Sequence, residues 1–202
     1  MNLKREFVIM LSKLKIGLIL LSIFIVFSAK GQDNGFSKST LKYGIGIGVS
    51  DGYRTTGGGG LLSVGYQLDL LKDRLRLNPN LTFGYFNAKY VLDVRDQWFN
   101  SINLETIIYF DVIRIKAFSL TIGAGGVINN TKGLLGPGGF PPAESNSDYI
   151  SDWHYGGFLG GGFRINPKNS RIAIEIMPLN FHIGCDYYME GFAKIGLEVK
   201  LK

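Results

Sequence analysis

The residues that could perform acid–base or nucleophilic chemistry are few, because the chain has two histidines and one cysteine. His154 could act as a base, and Asp152 lies two residues away on the same face of a predicted strand. A lipid-modifying enzyme would also need a hydroxyl nucleophile beside that base, but the next position on this face is Gly156. His182 lies in a predicted loop without a visible partner. The sequence therefore predicts no catalytic residue and favours a protein that is not an enzyme.

No metal or cofactor site is predicted either. The two histidines and Cys185 do not have a metal-binding spacing. The glycines at positions 44, 46 and 48 alternate with isoleucine, but no helix follows them to receive a phosphate group. Cys185 is the sole cysteine, so it cannot form a disulfide within the chain.

Eight segments carry bulky apolar residues at every second position, the pattern of a strand with one apolar face. In the last segment Ile195, Leu197 and Val199 share one parity, whereas Lys194 and Glu198 share the other. The predicted strands cover residues 41–50, 59–69, 74–86, 99–110, 115–127, 153–165, 170–181 and 188–201.

The predicted connections alternate between short and long. Short turns are predicted at residues 70–73, 111–114 and 166–169, and longer or irregular connections at 57–60, 87–98, 128–152 and 182–187. All short turns then fall at the end that holds both termini, which is the asymmetry of outer-membrane barrels. We predict an all-β fold, an eight-stranded antiparallel up-and-down transmembrane β-barrel.

The apolar parity is expected to face lipid and the polar parity to line the lumen. Glycines on the polar parity would leave room for Arg and Lys in a narrow barrel, and aromatic residues near both strand ends would form two girdles at the membrane interfaces. The predicted lumen residues are Lys42, Arg74, Arg76, Asn78, Asn80, Glu105, Ser119, Thr121, Arg164, Arg171, Glu175, Lys194 and Glu198. A secreted lipocalin-like barrel would have the same alternation, but its apolar residues would face inward and its polar residues outward.

Residues 1–31 are predicted to be a signal peptide, because basic residues flank an apolar core at 16–27 and small residues follow it. Residues 32–40 would form a short N-terminal segment and residues 41–202 the barrel domain, in the bacterial outer membrane. The first 31 residues contain five of the 22 Lys and Arg and one of the 16 Asp and Glu. The rest of the chain therefore has 17 basic and 15 acidic residues. This small excess of positive charge argues against a nucleic-acid partner.

Two local sequences, LNPNLTFGY at 77–85 and LTIGAGG at 120–126, resemble strands of the small outer-membrane β-barrel-domain family, the OmpA-like and OmpX-like eight-stranded barrels. The resemblance covers residues 36–202. It implies a barrel held in outer-membrane lipid, and we expect a monomer. Pro79 lacks a backbone N–H in the middle of a predicted strand, so a local bulge is expected there.

Four lumen residues are predicted to form ion pairs. The register that places Phe181 opposite Tyr188 would bring Glu175 opposite Lys194, and by the same register Arg171 opposite Glu198. Such pairs would plug the lumen; the alternative is a proton or ion path.

The segment 128–152 is the predicted interaction surface, because binding residues are commonly found on long loops held by a rigid scaffold. Its acidic residues could also hold a loosely bound cation, or the loop could only shield the rim. We predict a structural or surface-interaction role, with a lipid A-modifying enzyme and a secreted carrier of an apolar ligand as alternatives. The candidate contact residues are Phe140, Glu144, Asp148, Tyr149 and Asp152.

Overall fold

The computed structural model describes residues 39–51, 56–71, 73–87, 98–135, 148–167, 170–186 and 188–201. The predicted signal peptide lies outside these residues. The strands are β1 (Ser39–Asp51), β2 (Thr56–Leu70), β3 (Leu75–Asn87), β4 (Trp98–Ile115), β5 (Phe118–Leu135), β6 (Asp148–Ile165), β7 (Ile172–Gly184) and β8 (Met189–Lys200). Among the described residues, no helix has the length and apolar character needed to cross a membrane.

The strands form a closed barrel in which each strand pairs with the next one along the chain. β1 and β8 close the barrel as an antiparallel pair. The predicted all-β, up-and-down fold is therefore confirmed. We call the end that holds Ser39, Leu201 and the turns at 71–74, 116–117 and 166–171 the turn end, and the opposite end the loop end.

The apolar parity points outward, as predicted. Ile47 is 73% exposed, and Leu104, in the middle of β4, is 56% exposed. A soluble barrel that carries an apolar ligand needs the reverse orientation, so the lipocalin-like alternative is wrong. The outward apolar side chains include Tyr43, Ile45, Leu62, Val64, Phe83, Ile102, Ile108, Phe110, Ile122, Leu159, Phe163, Ile174, Ile195 and Leu197.

The polar parity points inward, with two exceptions. Arg74 and Arg171, both predicted in the lumen, are exposed. Arg74 lies in the turn before β3 and Arg171 directly before β7, so neither takes part in the alternation of a strand. All other predicted lumen residues are buried.

The turn predicted at residues 111–114 is wrong, because β4 continues to Ile115 and the turn lies at Lys116 and Ala117. Asp111 resembles a turn residue in the sequence, but its side chain is buried in the barrel. The register between β4 and β5 shifts between Asp111 and Ile113. After this irregularity Ile113 and Ile115 are exposed and continue the apolar exterior.

The bulge predicted at Pro79 is also wrong. The register of β2 with β3 is the same on both sides of the proline, with Gly65 opposite Asn80 and Leu68 opposite Leu77. The side-chain amide of Asn78 donates to the carbonyl oxygen of Tyr66 at 3.0 Å. The Asn78 amide thus supplies a donor to β2 next to Pro79, whose own nitrogen carries no hydrogen.

Interior glycines make room for large inward side chains. A Cβ atom built on Gly44 would lie 3.0 Å from Cδ of Lys194, which agrees with the predicted role of these glycines. Glycines also make room for aromatic side chains, because a Cβ atom on Gly123 would lie 2.6 Å from the ring of Tyr109. The lumen therefore contains aromatic as well as charged side chains.

Candidate functional site

Arg76 is the centre of an ion-pair network in the half of the lumen nearer the turn end. It extends from β3 and is fully buried. Its Nη2 atom lies 2.7 Å from Oδ1 of Asp111, and its Nη1 atom lies 3.4 Å from Glu175 and 3.3 Å from Glu198. The hydroxyl of Thr121 accepts a further bond at 3.1 Å. One guanidinium thereby connects side chains of β4, β5, β7 and β8.

Lys42 and Arg164 extend this network to the rest of the barrel wall. Lys42 Nζ lies 2.7 Å from Glu175. Arg164 reaches Glu198 with Nη2 at 2.7 Å and Asp73 with Nη1 at 2.9 Å. Buried charges are stable when paired and hydrogen-bonded, and this network supplies both. Its members in the described chain are Lys42, Arg76, Arg114 and Arg164 with Asp73, Asp111, Glu175 and Glu198.

The predicted cross-strand pairs do not face each other. Glu175 lies opposite Gly196 and Glu198 opposite Ala173, a register displaced by two residues from the predicted one. β7 continues to Gly184, so the hairpin is tighter than predicted, and the register shifts between Met177 and Asn180. Glu175, Lys194 and Glu198 are buried in the lumen, whereas Arg171 is exposed at the turn end.

A second polar cluster lies in the lumen nearer the loop end. Glu190 accepts hydrogen bonds from the hydroxyl of Tyr188 and, at 3.1 Å, from the amide of Asn103. Tyr188 lies in the turn before β8, where burial, followed by the nearby Glu190 carboxylate, raises the pKa of its hydroxyl. The phenol thus keeps the proton that it donates. His182 is fully buried, 3.4 Å from Glu105 and 3.5 Å from Glu190.

Apolar rings fill the space beside these polar clusters. Phe86 and Phe99 stack with ring centroids 5.3 Å apart, and Phe158 packs edge-on against Tyr109 at 6.2 Å. The buried apolar cluster consists of Leu61, Phe86, Phe99, Ile107, Tyr109, Phe158, Met177 and Phe192.

At the loop end the β5–β6 hairpin projects beyond β7. β5 and β6 pair continuously up to Leu135 opposite Asp148, whereas the ladder of β6 with β7 ends at Gly156 opposite Gly184. At about 3.3 Å per residue, the projecting part of β6 is roughly 20 Å long. Residues 149–154 therefore form a strand edge without a ladder partner among the described residues of β7.

The backbone groups that face this open edge can be assigned. The N–H of Cys185 donates to the carbonyl oxygen of Tyr155 at 3.0 Å, so that carbonyl points toward β7. Backbone groups alternate between the two sides of a strand, so the N–H and C=O of Tyr149, Ser151 and Trp153 point the same way. The side chains of Tyr149 and Trp153 are 65% and 69% exposed.

Aromatic side chains border the apolar exterior at both ends. Phe118 and Phe163 stack at 5.5 Å near the turn end, and Tyr85 stacks on Trp98 at 6.3 Å near the loop end. Rings at these two levels are typical of membrane–water interfaces. The exposed members of the predicted girdles are Tyr43, Tyr66, Phe110, Phe118 and Phe163 at the turn end, and Phe83, Tyr85, Trp153 and Tyr155 at the loop end.

No protein-family model and no curated protein matches the chain, but solved structures do. Neisserial surface protein A matches with a TM-score of 0.57 and 9% identity, over 82% of this chain and 98% of that one. Ail, the attachment invasion locus protein of Yersinia pestis, matches with a TM-score of 0.50 and 14% identity, over 80% and 96%. The protein is a small outer-membrane β-barrel.

This outer-membrane barrel has the fold predicted from its resemblance to the OmpA-like and OmpX-like proteins. The closed barrel leaves no open sheet edge in the bilayer, and the exposed apolar exterior is suited to lipid. The barrel is thus located in the bacterial outer membrane.

The candidate surface residues of the outer-membrane barrel are only partly described. Phe140 and Glu144 lie outside the described residues, and Asp148 is described by its backbone as the first residue of β6. Tyr149 is exposed and Asp152 is half-buried. Of the predicted loop 128–152, residues 128–135 therefore belong to β5 and residues 148–152 to β6.

His154 is buried on the inner face of β6 and stacks on Tyr188, with ring centroids 5.2 Å apart. Gly156 occupies the neighbouring position on this face, as expected from the sequence. The approach of Cys185 and Asp186 to this histidine was missed. Only the pairing of β6 with β7 brings these residues together, so their spacing in the sequence carried no signal.

Proposed function

We propose that this outer-membrane barrel is a rigid scaffold with a closed lumen, and that it binds an extended segment of an extracellular protein along the open edge of β6. The observation that carries the proposal is the projecting β6 segment, whose backbone groups at Tyr149, Ser151 and Trp153 face away from β5. A strand edge without a ladder partner among the described residues is a template for another strand. Binding by strand addition uses these groups for affinity and side chains for specificity.

The ion-pair network supports the scaffold part of the proposal. Arg76, Arg164, Glu175 and Glu198 extend into the barrel from four strands and have no side-chain exposure. An eight-stranded barrel has an interior just wide enough for side chains to fill. The network therefore acts as a plug that holds the wall of the barrel rigid beneath the hairpin.

The side chains of the edge support the binding part. Tyr149 and Trp153 are both largely exposed, and they lie on the outer face of the segment. Large aromatic side chains are enriched at protein interfaces, where they contribute much of the binding energy. An extended partner paired with this edge would have both rings within reach of its own side chains.

The test replaces one residue of the edge in two ways. Ser151→Pro removes a backbone N–H that faces the open side and leaves the β5 ladder bonded, because proline is tolerated on edge strands. Ser151→Thr keeps the N–H and is the matched control. Peptides selected from a displayed random library on the protein in lipid nanodiscs should bind the wild type and Ser151→Thr but lose at least about tenfold in affinity for Ser151→Pro.

Equal binding of the selected peptides by all three proteins would contradict strand addition at this edge. Failure to select any peptide would contradict it as well. The heat-modifiable migration of each protein on a gel verifies that the barrel is folded in every sample.

A further inference from the structure

Three metal-binding side chains converge at the loop end of the barrel. His154 comes from β6, and Cys185 and Asp186 come from the turn that follows β7. One ring nitrogen of the histidine, the cysteine Sγ and one carboxylate oxygen all lie within 4.8 Å of one another. We propose that these residues bind a Zn²⁺ ion at the outer rim of the barrel.

The backbone holds the two strands of this site in place. One further backbone hydrogen bond follows the last ladder pair of β6 and β7, in which the N–H of Cys185 donates to the carbonyl oxygen of Tyr155 at 3.0 Å. The N–H of Tyr155 in turn approaches Cys185 Sγ at 3.5 Å. These two contacts hold Cys185 beside Tyr155, the residue that follows His154 in the chain.

The turn itself is short and hydrogen-bonded. The N–H of Tyr188 donates to the carbonyl of Cys185 at 3.2 Å, and the N–H of Gly184 donates to the carbonyl of Tyr188 at 2.8 Å. Asp186 has a φ of 55°, in the left-handed region that aspartate occupies more readily than most residues. Cys185 and Asp186 are therefore held by a short, hydrogen-bonded turn and not by a long loop.

His154 gives the second, independent indication of a ligand. The side chain is only 2% exposed, and neither ring nitrogen has a hydrogen-bond partner among the described residues. A buried polar group without a partner is costly, and such a group needs a specific explanation. A metal ion bonded to the ring nitrogen that faces Cys185 and Asp186 would give that nitrogen a partner. The stack on Tyr188 sets the plane of the ring.

The set of donor atoms favours zinc over the hard cations. Zn²⁺ binds cysteine sulfur, histidine nitrogen and carboxylate oxygen, most often with four ligands. Ca²⁺ and Mg²⁺ prefer sites made of oxygen atoms. Three protein ligands would leave the fourth position of a tetrahedral ion for water, and the exposed Asp186 lies on the side from which water can enter.

The experiment uses Co²⁺ as a spectroscopic probe for the zinc site. The chain is purified in detergent without a histidine tag, reduced, stripped with chelator and titrated with Co²⁺. We expect one equivalent to produce a sulfur-to-cobalt charge-transfer band together with the visible bands of a tetrahedral ion. Zn²⁺ should then displace the cobalt, abolish both signals and protect Cys185 from alkylation.

Four variants test whether Co²⁺ binding depends on the three proposed ligands and not on a nearby carboxylate. Cys185→Ser should abolish the charge-transfer band, and His154→Gln and Asp186→Asn should weaken Co²⁺ binding by at least about tenfold, the effect that even outer-shell changes have at metal sites. Asp152→Asn is the matched control, because Asp152 lies on the same face of β6 but outside the cluster. This variant should bind as the wild type does.

Two results would overturn the proposal. One is the absence of the charge-transfer band in wild-type protein that migrates as a folded barrel. The other is metal binding that is equally strong in the wild type and Cys185→Ser, since the metal would then bind elsewhere. Neither result concerns peptide binding at Ser151, so this test and the test of the edge can fail independently.

Discussion

At the scale of single residues, Arg164 shows how the buried network stabilises the barrel. Its guanidinium reaches Glu198 and Asp73 at hydrogen-bond distance, and its side chain has no exposure. Arg164→Met would leave both carboxylates without this partner in the interior. Breaking a buried pair in this way costs about 3 to 5 kcal/mol. We expect the free energy of unfolding, measured with urea in lipid vesicles, to fall by that amount.

The control for this substitution is Arg171→Met. Arg171 is exposed at the turn end, and exposed arginines contribute little to stability. We expect a change within about 0.5 kcal/mol, as for most surface substitutions. If both variants lose the same stability, the effect of Arg164→Met comes from the loss of an arginine and not from the broken network.

The residue scale also shows what the sequence could predict in the lumen. Alternation identified Arg76, Arg164 and Glu175 as inward residues, because parity is a local property of a strand. Their partners could not be predicted, since they depend on register and on how far each side chain reaches across the barrel. Asp111 illustrates the difference: in the sequence it resembles a turn, yet it accepts a bond from Arg76 at 2.7 Å.

At the scale of the elements, neighbouring glycines on β5 provide a matched pair of substitutions. A Cβ atom on Gly125 would overlap the backbone carbonyl oxygen of Thr106, whereas one on Gly126 would lie 3.9 Å from its nearest neighbour, the oxygen of Gly156. Gly125→Ala forces the β4–β5 pair apart, so we expect it to lose about 1 to 3 kcal/mol. Urea unfolding in vesicles measures the loss.

Gly126→Ala tests the reason for that loss. The added methyl group has space, and replacing glycine by alanine at a compatible position stabilises a protein by about 0.4 to 1 kcal/mol through the unfolded chain. We therefore expect no loss of stability. A loss in Gly126→Ala as large as in Gly125→Ala would contradict close strand approach as the role of Gly125.

The lengths of β5 and β6 show why element ends were harder to predict than element cores. Asn129, Asn130 and Thr131 resemble a loop, but they continue β5 opposite residues 152–154 of β6. Asn129 points inward and donates to Ser101 at 2.8 Å, a partner on another strand. Polar residues of this kind break the apolar alternation on which the prediction depended, so the strand was predicted to end at residue 127.

At the scale of the whole molecule, the barrel reverses the arrangement of a soluble protein. Charged side chains such as Arg76 and Glu198 are fully buried, whereas Leu104 and Ile195 are more than half exposed. The inside of the barrel is stabilised by its own ion pairs and rings, and the outside has the surface that hydrocarbon requires. Period-two alternation predicted both faces, and the glycines on the polar face together with the aromatic residues near the strand ends indicated that the apolar face meets lipid.

The cost of a charge on the outer face should therefore depend on its depth in the membrane. Leu104 lies on β4 between the aromatic girdles, whereas Ile115 lies at the turn end beyond Phe110. Arginine on the lipid face costs about 2 to 4 kcal/mol at the midplane and about 0 to 1 kcal/mol near the interface. We expect these losses for Leu104→Arg and Ile115→Arg, measured by urea unfolding in vesicles. Equal losses at the two depths would show that the bilayer does not surround the barrel at the level of Leu104.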